Sequence, residues 1–505
     1  MFQRLLIANR GEIAVRIVRT CETLGIATVA VHSEADRNAR HVVEADAAIA
    51  IGEAPASRSY LSIDRLIDAA RAVGADAVHP GYGFLSENAA FAAACTDAGL
   101  TFVGPSAEVI ARFGSKIEAR RAAREAGVPT VPGVEPADQS PAGIVAAVRR
   151  TGVPALLKPS AGGGGKGMRI VREADDDAAV AAEAAAARRE AEAAFGDGTL
   201  YVERRLERPR HVEVQVAGDG EGRVVHLGER DCSVQRRHQK VVEEAPAPDL
   251  TESTRERLTA AAVDLAEAAR YDSVGTVEFL VEGAGDDARF YFLELNTRLQ
   301  VEHPVTELVT GADLVAVQLR IAAGRRDWAP ARREPRGHAI ECRVCAEDPA
   351  TDFRPQAGRI LACREPAGPG VRVDSGVGPG SEVPVHYDPL LAKLAVWGET
   401  RDAARRRALS ALRRYVVLGV RTNLSLLQRV LEHPRFARGA VGVGFVDEER
   451  AALVASGADE SVLAAVAASA ARALRQGPHS PPPGAPAVAA GAEVDPWVGL
   501  PDWRL

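Results

Sequence analysis

Residues 290 to 302 read Phe-Tyr-Phe-Leu-Glu-Leu-Asn-Thr-Arg-Leu-Gln-Val-Glu, a short apolar run that passes into strict alternation of polar and apolar side chains. Alternation with a period of two is typical of a β-strand, because successive side chains of a strand point to opposite faces. If the chain stays extended, one face carries the polar members of the run, which are Glu294, Asn296, Arg298, Gln300 and Glu302. Carboxylates, amides and a guanidinium on one face suit a cation, an anion and a proton acceptor in one pocket.

The alternative interpretation of this run is the solvated face of an edge strand, which is the commoner origin of an arbitrary alternating segment. Two observations favour a site. The run continues into His303-Pro304, which is predicted to end regular structure. In addition, two other unusual segments carry residues that suit the same kind of pocket. Those segments are the glycine-rich residues 160–167 and the basic residues 231–240.

Composition and charge bound the class of protein. The chain has 505 residues, of which 46% are hydrophobic, so it can bury large cores and is expected to form about three domains. A formal net charge of -7 argues against a nucleic-acid partner, since nucleic-acid-binding domains usually carry a clustered basic excess. Six cysteines without dense spacing do not make a disulfide framework. No run of 18 apolar residues occurs and the apolar start is too short for a signal peptide, so a cytoplasmic protein without a membrane partner is expected.

The order of the sequence patterns predicts a mixed α/β and α+β protein. In residues 1–114, short apolar strands alternate with helical patterns, which predicts right-handed βαβ units around a Rossmann-like parallel sheet. The first turn, residues 9–14, lacks the G-x-G-x-x-G pattern, so a dinucleotide site is not expected. Residues 115–330 combine the glycine-rich loop with a series of strand patterns, and residues 331–446 mix strands, glycine and proline turns and an arginine-rich helix. Residues 447–505 are predicted to form a helical and proline-rich tail.

The glycine-rich loop is a candidate phosphate-binding element. Four consecutive glycines, 162–165, precede Lys166 and give mobile backbone that can approach phosphate oxygens. The loop is not a Walker A motif, because Gly167 occupies the position of the required serine or threonine. A flexible hairpin tip is the default interpretation of such a loop. Lys158, at the end of the apolar strand before it, favours a lid that folds over a nucleotide.

Two glutamates on neighbouring strand patterns form a candidate metal site. Glu278 and Glu294 lie on either side of a short turn around residues 283–287, so a hairpin would present both carboxylates to one ion, with Asn296 as a third oxygen donor. Magnesium prefers such hard oxygens together with nucleotide phosphates. Either glutamate alone would be interpreted as a surface residue, and it is the pairing of the two that indicates a metal site.

The remaining candidates have ordinary structural alternatives. Residues 235–240 contain four basic or potentially basic side chains, and a solvated loop is the usual fate of such a run. Arg343 alone would more often be a salt-bridge partner. Residues 79–88 form a glycine and proline loop after a predicted strand, where sites commonly lie.

Taken together, five of these segments resemble biotin carboxylase, an ATP-grasp ligase. They are residues 7–14, 79–88, 162–168, 229–246 and 294–306, and the resemblance covers about residues 1–446 in unbroken order. It implies an N-terminal biotin carboxylase domain (1–114), an ATP-grasp domain (115–330) with a glycine-rich lid at about 130–205, and a C-terminal biotin carboxylase domain of mixed α/β structure (331–446). The departures, such as Arg204 where lysine is usual, remove no chemical group.

The resemblance implies ATP- and bicarbonate-dependent carboxylation of biotin through carboxyphosphate. The implied catalytic residues are Glu302 as the base that activates bicarbonate, Arg298 and Lys240 as the cations that hold it, and Arg343 as the stabiliser of the biotin enolate. Gln300 and Val301 would lie near bicarbonate through their backbone, and Tyr82 near the biotin ring. Glu278, Glu294 and Asn296 would hold Mg²⁺ or Mn²⁺. The implied ATP-binding residues are Lys116, Lys158, Gly163, Gly164, Gly165, Lys166, His211, Gln235 and His238, with Glu203 and Leu206 at the adenine.

The implied partners follow from one motif that the chain lacks. Carrier domains of this family present their biotinylated lysine in an Ala-Met-Lys-Met context, whereas this chain has only Met1 and Met168. We therefore expect biotin to arrive on a separate biotin carboxyl carrier protein, and a carboxyltransferase subunit to complete an acyl-CoA carboxylase. A homodimer or a larger hetero-oligomer is expected. Two alternatives remain open: another ATP-grasp ligase that forms a carbamoyl or acyl phosphate, and a catalytically silent ATP-binding regulatory subunit.

Overall fold

A five-stranded parallel sheet forms the N-terminal part of the protein, whose computed structural model describes residues 1–160, 167–173, 176–330 and 334–454. Its strands are β1 (Arg4–Ile7), β2 (Ala27–Ser33), β3 (Ala47–Gly52), β4 (Ala77–His79) and β5 (Thr101–Phe102), in the order β3-β2-β1-β4-β5. The helices between them are α1 (Gly11–Leu24), α2 (Arg40–Glu44), α3 (Ile63–Ala72) and α4 (Ala89–Asp97), and α5 (Ala107–Gly114) follows β5. The predicted Rossmann-like sheet is confirmed. The sequence patterns do not indicate β3, an edge strand that is largely exposed and rich in alanine, a residue with low strand propensity.

A small antiparallel sheet follows in the chain. Its strands are β6 (Gly133–Val134), β7 (Ala155–Pro159), β8 (Arg169–Val171) and β9 (Leu200–Arg204), in the order β6-β9-β7-β8. Helices α7 (Pro141–Thr151) and α8 (Asp177–Phe195) pack against it through a core that includes Ile144, Val148 and Ala184. The glycines of the predicted lid, 162–165, and Lys166 lie outside the described residues.

An eight-stranded antiparallel sheet forms the body of the protein. Its order is β14-β13-β10-β11-β12-β15-β22-β20, so it takes strands from both sides of residue 330. The strands are β10 (Arg210–Gly218), β11 (Val224–Arg236), β12 (Gln239–Ala245), β13 (Val274–Glu282), β14 (Arg289–Asn296), β15 (His338–Cys345), β20 (Val371–Ser375) and β22 (Leu390–Gly398). The pairing of β12 with β15, in which Val242 faces Cys342, joins the two halves.

The remaining elements connect and cover these sheets. The longer helices are α6 (Lys116–Glu125), α9 (Glu252–Ala268), α10 (His303–Thr310), α11 (Leu314–Ala322), α12 (Arg401–Arg414) and α13 (Leu424–Glu432). Short helices are α14 (Pro434–Ala437), α15 (Phe445–Glu448) and α16 (Arg450–Leu453), and short strands are β16 (Glu347–Asp348), β17 (Arg354–Pro355), β18 (Gly358–Arg359), β19 (Ala362–Arg364), β21 (Glu382–Val383) and β23 (Val416–Leu418). Among the described residues, none of the helices combines the length and the apolar content that crossing a membrane requires.

Strand alternation separates the core from the polar face of the large sheet. On β15, Ile340, Cys342 and Val344 pack into the apolar core formed with α12 and α13. The alternate residues of the same strand, Glu341 and Arg343, therefore point to the opposite face. That face is where the polar site described below lies.

The strand predicted through Glu302 is wrong. Strand β14 ends at Asn296, residues 297–302 form an irregular loop, and His303 begins α10 rather than ending regular structure. Pro304 lies in the first turn of that helix, where its missing N–H costs no hydrogen bond and its fixed φ suits the helix. The polar side chains of the run still converge, because the loop packs against buried cations of the large sheet.

Candidate active site

A cavity of about 920 Å³ lies where the carboxyl ends of β1 and β4, the small sheet and the polar face of the large sheet come together. All predicted site residues that the structure describes line it. These are Tyr82, Lys116, Lys158, Glu203, Leu206, His211, Gln235, His238, Lys240, Glu278, Glu294, Asn296, Arg298, Gln300, Val301, Glu302 and Arg343.

Glu302 lies at the centre of the polar wall, at the end of the loop before α10. One carboxylate oxygen accepts a hydrogen bond from Lys240 Nζ at 2.5 Å, and the other accepts one from Arg343 Nη2 at 2.9 Å. The residue is only 2% exposed. Burial opposes its ionisation, but the charges of Lys240, Arg343 and Arg230 outweigh burial and hold the pKa of Glu302 below its ordinary value. Glu302 is therefore an ionised carboxylate held between two cations.

Lys240 joins the separate parts of this wall. Its ammonium group contacts Glu213 at 2.6 Å and Glu278 at 2.8 Å, in addition to Glu302. Burial lowers the pKa of Lys240, but the three carboxylates raise it well above the ordinary value. A lysine with three acidic partners can exchange one of them for an incoming anion without losing its charge.

The hairpin of β13 and β14 brings the predicted metal ligands together. Glu278 is paired with Glu294 across the two strands. Asn296 Nδ2 donates to Glu278 Oε1 at 2.9 Å, and His211 Nε2 lies 2.9 Å from Glu278 Oε2. Burial raises the pKa of Glu278, but Lys240 and His211 outweigh it, so the pKa is lowered well below the ordinary value. An ionised, buried carboxylate paired with a second carboxylate supplies the hard oxygens that suit magnesium, whereas the amide oxygen of Asn296 accepts a hydrogen bond from Arg298 Nη2 at 3.0 Å.

Arg298 occupies the loop after β14 and is fixed from the N-terminal part of the chain. Its Nε donates to Glu87 Oε2 at 2.8 Å, and its Nη2 donates to Asn296 Oδ1 at 3.0 Å. Glu87 Oε1 also accepts the backbone N–H of Thr297 at 3.1 Å. The loop after β4 therefore orients the guanidinium of Arg298 at the cavity wall.

The far end of the cavity carries cations and an apolar patch. Lys158 Nζ donates to Glu203 at 3.0 Å, and Arg120 contacts the other oxygen of the same carboxylate. Burial lowers the pKa of Lys158, but Glu203 and Tyr201 raise it above the ordinary value. Lys116 lies at the cavity wall, 3.8 Å from Glu294. Lysines of this kind suit phosphate oxygens.

Leu206 belongs to a small apolar cluster with Val131 and Tyr291, next to the cations at this end. Gln235 and His238 lie at the tip of the hairpin of β11 and β12, and both line the cavity. An apolar patch beside lysines suits a flat heterocycle that carries phosphates.

Tyr82 and Gln300 complete the wall nearest to Glu302. The carbonyl of Tyr82 accepts a hydrogen bond from Asn9 Nδ2 at 2.8 Å, which fixes the loop after β4 to the end of β1. Gln300 Nε2 donates to Glu278 at 2.7 Å, and its Oε1 lies 3.4 Å from Lys240 Nζ. Val301 lies between Gln300 and Glu302 and also lines the cavity.

Arg230 and Glu213 are central residues that the sequence patterns did not single out. Arg230 is fully buried and donates to Glu213 at 2.6 Å and to Gln215 at 2.7 Å. The signal was present in β10, where valines at 212, 214 and 216 alternate with Glu213 and Gln215. A buried strand with polar residues on one face indicates a polar site rather than a solvated edge.

Three family profiles match the chain in sequence order. "Biotin carboxylase, N-terminal domain" matches residues 1–110, "Carbamoyl-phosphate synthase L chain, ATP binding domain" matches residues 115–327, and "Biotin carboxylase C-terminal domain" matches residues 341–448. Together they cover most of the described residues.

Known proteins and solved structures agree with these profiles. The chain is 50% identical over 448 residues to the biotin carboxylase of a Nostoc species, covering 88% of this chain and 99% of that protein. It is 47% identical over 451 residues to a pyruvate carboxylase subunit of Methanothermobacter thermautotrophicus, covering 89% and 90% of the two chains. The biotin carboxylase domain dimer of Hydrogenobacter thermophilus 2-oxoglutarate carboxylase, solved with MgADP, ADP and bicarbonate, superposes with a TM-score of 0.86 at 43% identity, covering 90% of this chain and 100% of that one.

Proposed function

The chain belongs to the biotin carboxylase family, and we propose that it carboxylates biotin on a separate carrier protein, using ATP and bicarbonate, through carboxyphosphate. The observation that carries this proposal is the contact of Glu302 with both Lys240 and Arg343. A buried carboxylate between two cations supports the proposal, because each cation can bind an anionic reactant. The cavity then continues to Lys116 and Lys158, which suit the phosphates of ATP.

Bicarbonate activation is assigned to Glu302, Lys240 and Arg298. Lys240 and Arg298 hold the bicarbonate anion, and Glu302 accepts its proton as a bicarbonate oxygen attacks the γ-phosphorus and ADP leaves. A carboxylate with a very low pKa is a weak base. When Lys240 turns to bicarbonate and Arg343 to biotin, Glu302 loses two of the three charges that lower its pKa, so substrate binding itself raises its basicity.

The described residues fit a divalent cation at Glu278, Glu294 and Asn296. Magnesium bound there would neutralise charge on the nucleotide phosphates during phosphoryl transfer. The pairing of Glu278 with Glu294 supports this assignment, and Asn296, whose amide nitrogen donates to Glu278, would turn its oxygen toward the ion.

Biotin carboxylation is assigned to the side of the cavity that holds Arg343 and Tyr82. The C–O bond of carboxyphosphate breaks to give carbon dioxide and phosphate. The released phosphate accepts the proton of the biotin ureido nitrogen, which then attacks the carbon of carbon dioxide. Arg343 stabilises the negative charge on the ureido oxygen. The guanidinium is well placed for this role, because Glu243 holds its Nε at 2.5 Å while Nη2 contacts Glu302 at 2.9 Å.

We further propose that a biotin carboxyl carrier protein delivers biotin, that a carboxyltransferase subunit receives the carboxyl group, and that the chain acts as a homodimer or in a larger assembly. The relatives include a subunit of a pyruvate carboxylase and the alpha chain of the mitochondrial methylcrotonoyl-CoA carboxylase of Glycine max, which supports participation in a multi-subunit carboxylase. We assign the present chain to an acyl-CoA carboxylase, of the acetyl- or propionyl-CoA type. Proteins that copurify with the chain would test this assignment, and copurification with a pyruvate-specific transferase alone would contradict it.

Glu302→Gln tests the proposed base. Glutamine keeps the size of the side chain but cannot accept the proton, so we expect bicarbonate-dependent ATP cleavage to fall by roughly 10²–10⁴-fold, the usual contribution of a general base. The affinity for ATP should remain, since Glu302 lies away from the cations of the phosphate end. Steady-state ADP release and equilibrium ATP binding measure the two quantities.

The matched control is Glu256→Gln, the same substitution at an exposed position of α9. It should retain the wild-type rate. Wild-type turnover in Glu302→Gln would remove Glu302 from the mechanism. ATP cleavage that depends on an amine rather than on bicarbonate and free biotin would favour a carbamoyl- or acyl-phosphate-forming ligase instead. ATP binding without any cleavage would favour the silent regulatory subunit.

A further inference from the structure

Lys393 is a fully buried lysine that the proposed reaction leaves without a role. It lies on β22, is 1% exposed, and its ammonium group donates to the carbonyl oxygen of Val301 at 3.0 Å. Burying an ammonium group is costly unless it is paired. Here the pairing comes from Glu12 Oε2 at 3.1 Å and from Asp374 Oδ2 at 3.9 Å.

The strand register places Lys393 beside the reacting groups. Lys393 is directly opposite Arg343 in the pairing of β15 with β22, and opposite Asp374 in the pairing of β20 with β22. Paired residues of antiparallel strands project from the same face. Two like charges side by side on one face are unfavourable, so each needs an acceptor of its own. Arg343 donates to the carboxylate of Glu302, and Lys393 donates to the backbone carbonyl of Val301.

The contact with Val301 determines the direction of a peptide plane. In a planar trans peptide the N–H of one residue points opposite to the carbonyl of the residue before it. Lys393 draws the Val301 carbonyl toward β22, so the N–H of Glu302 points away from Lys393. His303 Nδ1 contacts the Gln300 carbonyl at 2.7 Å and fixes the preceding peptide in the same way. Successive N–H groups held in this manner form a concave anion-binding surface.

Lys393 also lies close to Tyr82, which is assigned to the biotin side of the cavity. Its ammonium group lies 5.7 Å from the ring centroid of Tyr82, within the range of a cation–π contact. It therefore contacts both the backbone of the loop that carries Glu302 and a side chain of the loop after β4. Its third contact, Glu12, lies in the first turn of α1.

We propose that Lys393 is a positioning residue that holds the Val301–Glu302 peptide for bicarbonate. This inference rests on the proposed function. Loss of the ammonium group would free the peptide to rotate, which weakens the backbone contribution to bicarbonate binding and leaves the ATP site unchanged.

The test compares two substitutions with a control. Lys393→Met removes the charge and the donor but leaves Glu12 and Asp374 with one cation fewer, which could prevent folding. The double variant Glu12→Gln/Lys393→Met removes a carboxylate together with the lysine. The control is Arg372→Met, which removes a cation that contacts Asp374 at 2.7 Å in the same ionic network but does not touch Val301.

We expect the KM for bicarbonate to rise roughly tenfold in both Lys393 variants, as for the loss of one charge-assisted hydrogen bond. The affinity for ATP should stay within about twofold of wild type on the same reasoning. Arg372→Met should leave the KM for bicarbonate unchanged. A bicarbonate KM that stays at the wild-type value in a folded, ATP-binding Lys393 variant overturns the proposal, and so does an equal rise in Arg372→Met. Wild-type protein without bicarbonate-dependent ATP cleavage would overturn the proposed function itself, a result that the variants alone cannot give.

Discussion

At the residue scale, burial and neighbouring charges determine the protonation state of Glu12, which contacts Lys393. Burial raises the pKa of Glu12 to about 7, although Lys393 opposes the shift, and the nearby charges of Asp374 and Asp388 add to it. The folded protein therefore binds a proton between about pH 4.5 and 7 that the unfolded chain releases. The stability that this proton supplies is fully present below the unfolded pKa and is lost as the pH rises through the folded pKa.

Glu12→Gln should remove this dependence, because glutamine mimics the protonated acid at every pH. We expect the unfolding free energy of the variant, relative to wild type, to increase by on the order of 3 kcal/mol between pH 5 and pH 8, from a shift of about 1.4 kcal/mol per pKa unit. Urea unfolding at a series of pH values measures it. Glu22→Gln, an exposed position on the same helix, should run parallel to wild type. A constant difference between Glu12→Gln and wild type would show that Glu12 does not titrate in this range.

The sequence predicts the charged side chains that line the candidate site better than the groups that hold them. Glu302 and Lys240 lie in segments that resemble the family, and Arg343 lies within the wider range, residues 1–446, that the resemblance covers. Glu87 lies in the loop of residues 79–88, where the sequence indicates no particular role for it, and Lys393 lies in an apolar strand that offers no local signal. A residue that acts through a backbone carbonyl leaves no pattern in the sequence, since its partner is defined only by the fold.

At the scale of elements, the hairpin of β11 and β12 carries an unusual turn. Its two tip residues, Arg237 and His238, have φ angles of 48° and 67°, a left-handed conformation that hairpin turns usually reserve for asparagine or glycine. A non-glycine residue in this conformation costs roughly 1–2 kcal/mol. Since His238 lines the cavity, we attribute the choice of histidine to ATP binding rather than to stability.

His238→Gly should therefore stabilise the fold and weaken the function. We expect a gain of roughly 0.5–1 kcal/mol in the unfolding free energy, after the greater entropy of an unfolded glycine is subtracted, and a severalfold rise in the KM for ATP. The control is Arg270→Gly, because Arg270 is exposed and also has a positive φ, 50°, but does not line the cavity. It should gain stability with no change in the KM for ATP. An unchanged KM in His238→Gly would show that the histidine has no part in nucleotide binding.

The sequence predicted the hairpin that carries Glu278 and Glu294 and misjudged where its second strand ends. The two strand patterns are confirmed as β13 and β14. The end predicted for this strand is wrong, because the alternation of polar and apolar residues continues beyond Asn296 although the strand does not. A loop that wraps around buried cations also alternates, since its apolar members, such as Leu299, must be buried between polar ones.

At the scale of the whole molecule, one close approach joins the parallel sheet to the large sheet. A Cβ added at Gly376, just after β20, would lie 2.6 Å from the backbone nitrogen of Glu12 and 2.8 Å from the carbonyl carbon of Gly11. Backbone atoms cannot move aside as a flexible side chain can. Glycine is therefore required where α1 begins and Lys393 meets Glu12.

Gly376→Ala should force these two parts of the molecule apart. We expect a loss of roughly 1–3 kcal/mol in stability, as for other overpacked sites, together with a reduced rate of ATP cleavage. Gly378→Ala is the matched control, since no neighbouring heavy atom lies within 4 Å of its added Cβ. Thermal unfolding and ADP release measure both effects. Equal behaviour of the two variants would show that the contact does not constrain the site.

The sequence predicted the fold class of the molecule, but not that one sheet combines strands from both sides of residue 330. The rhythm of strands and helices in residues 1–114 predicted the parallel sheet, because local patterns determine βαβ units. The pairing of β12 with β15 brings together residues about a hundred positions apart, for which no local pattern exists. That pairing places Arg343 beside the strand that carries Lys240, so the polar wall around Glu302 depends on a contact that no local pattern predicts.

The most direct test of the account follows the oxygen atoms of bicarbonate. If a bicarbonate oxygen attacks the γ-phosphorus, the bridging oxygen of carboxyphosphate stays on phosphorus when the C–O bond breaks. Purified protein supplied with ATP, magnesium, free biotin and ¹⁸O-labelled bicarbonate should therefore release phosphate that carries one ¹⁸O atom, detected by mass spectrometry. Phosphate that takes its new oxygen from water instead would contradict the proposed mechanism.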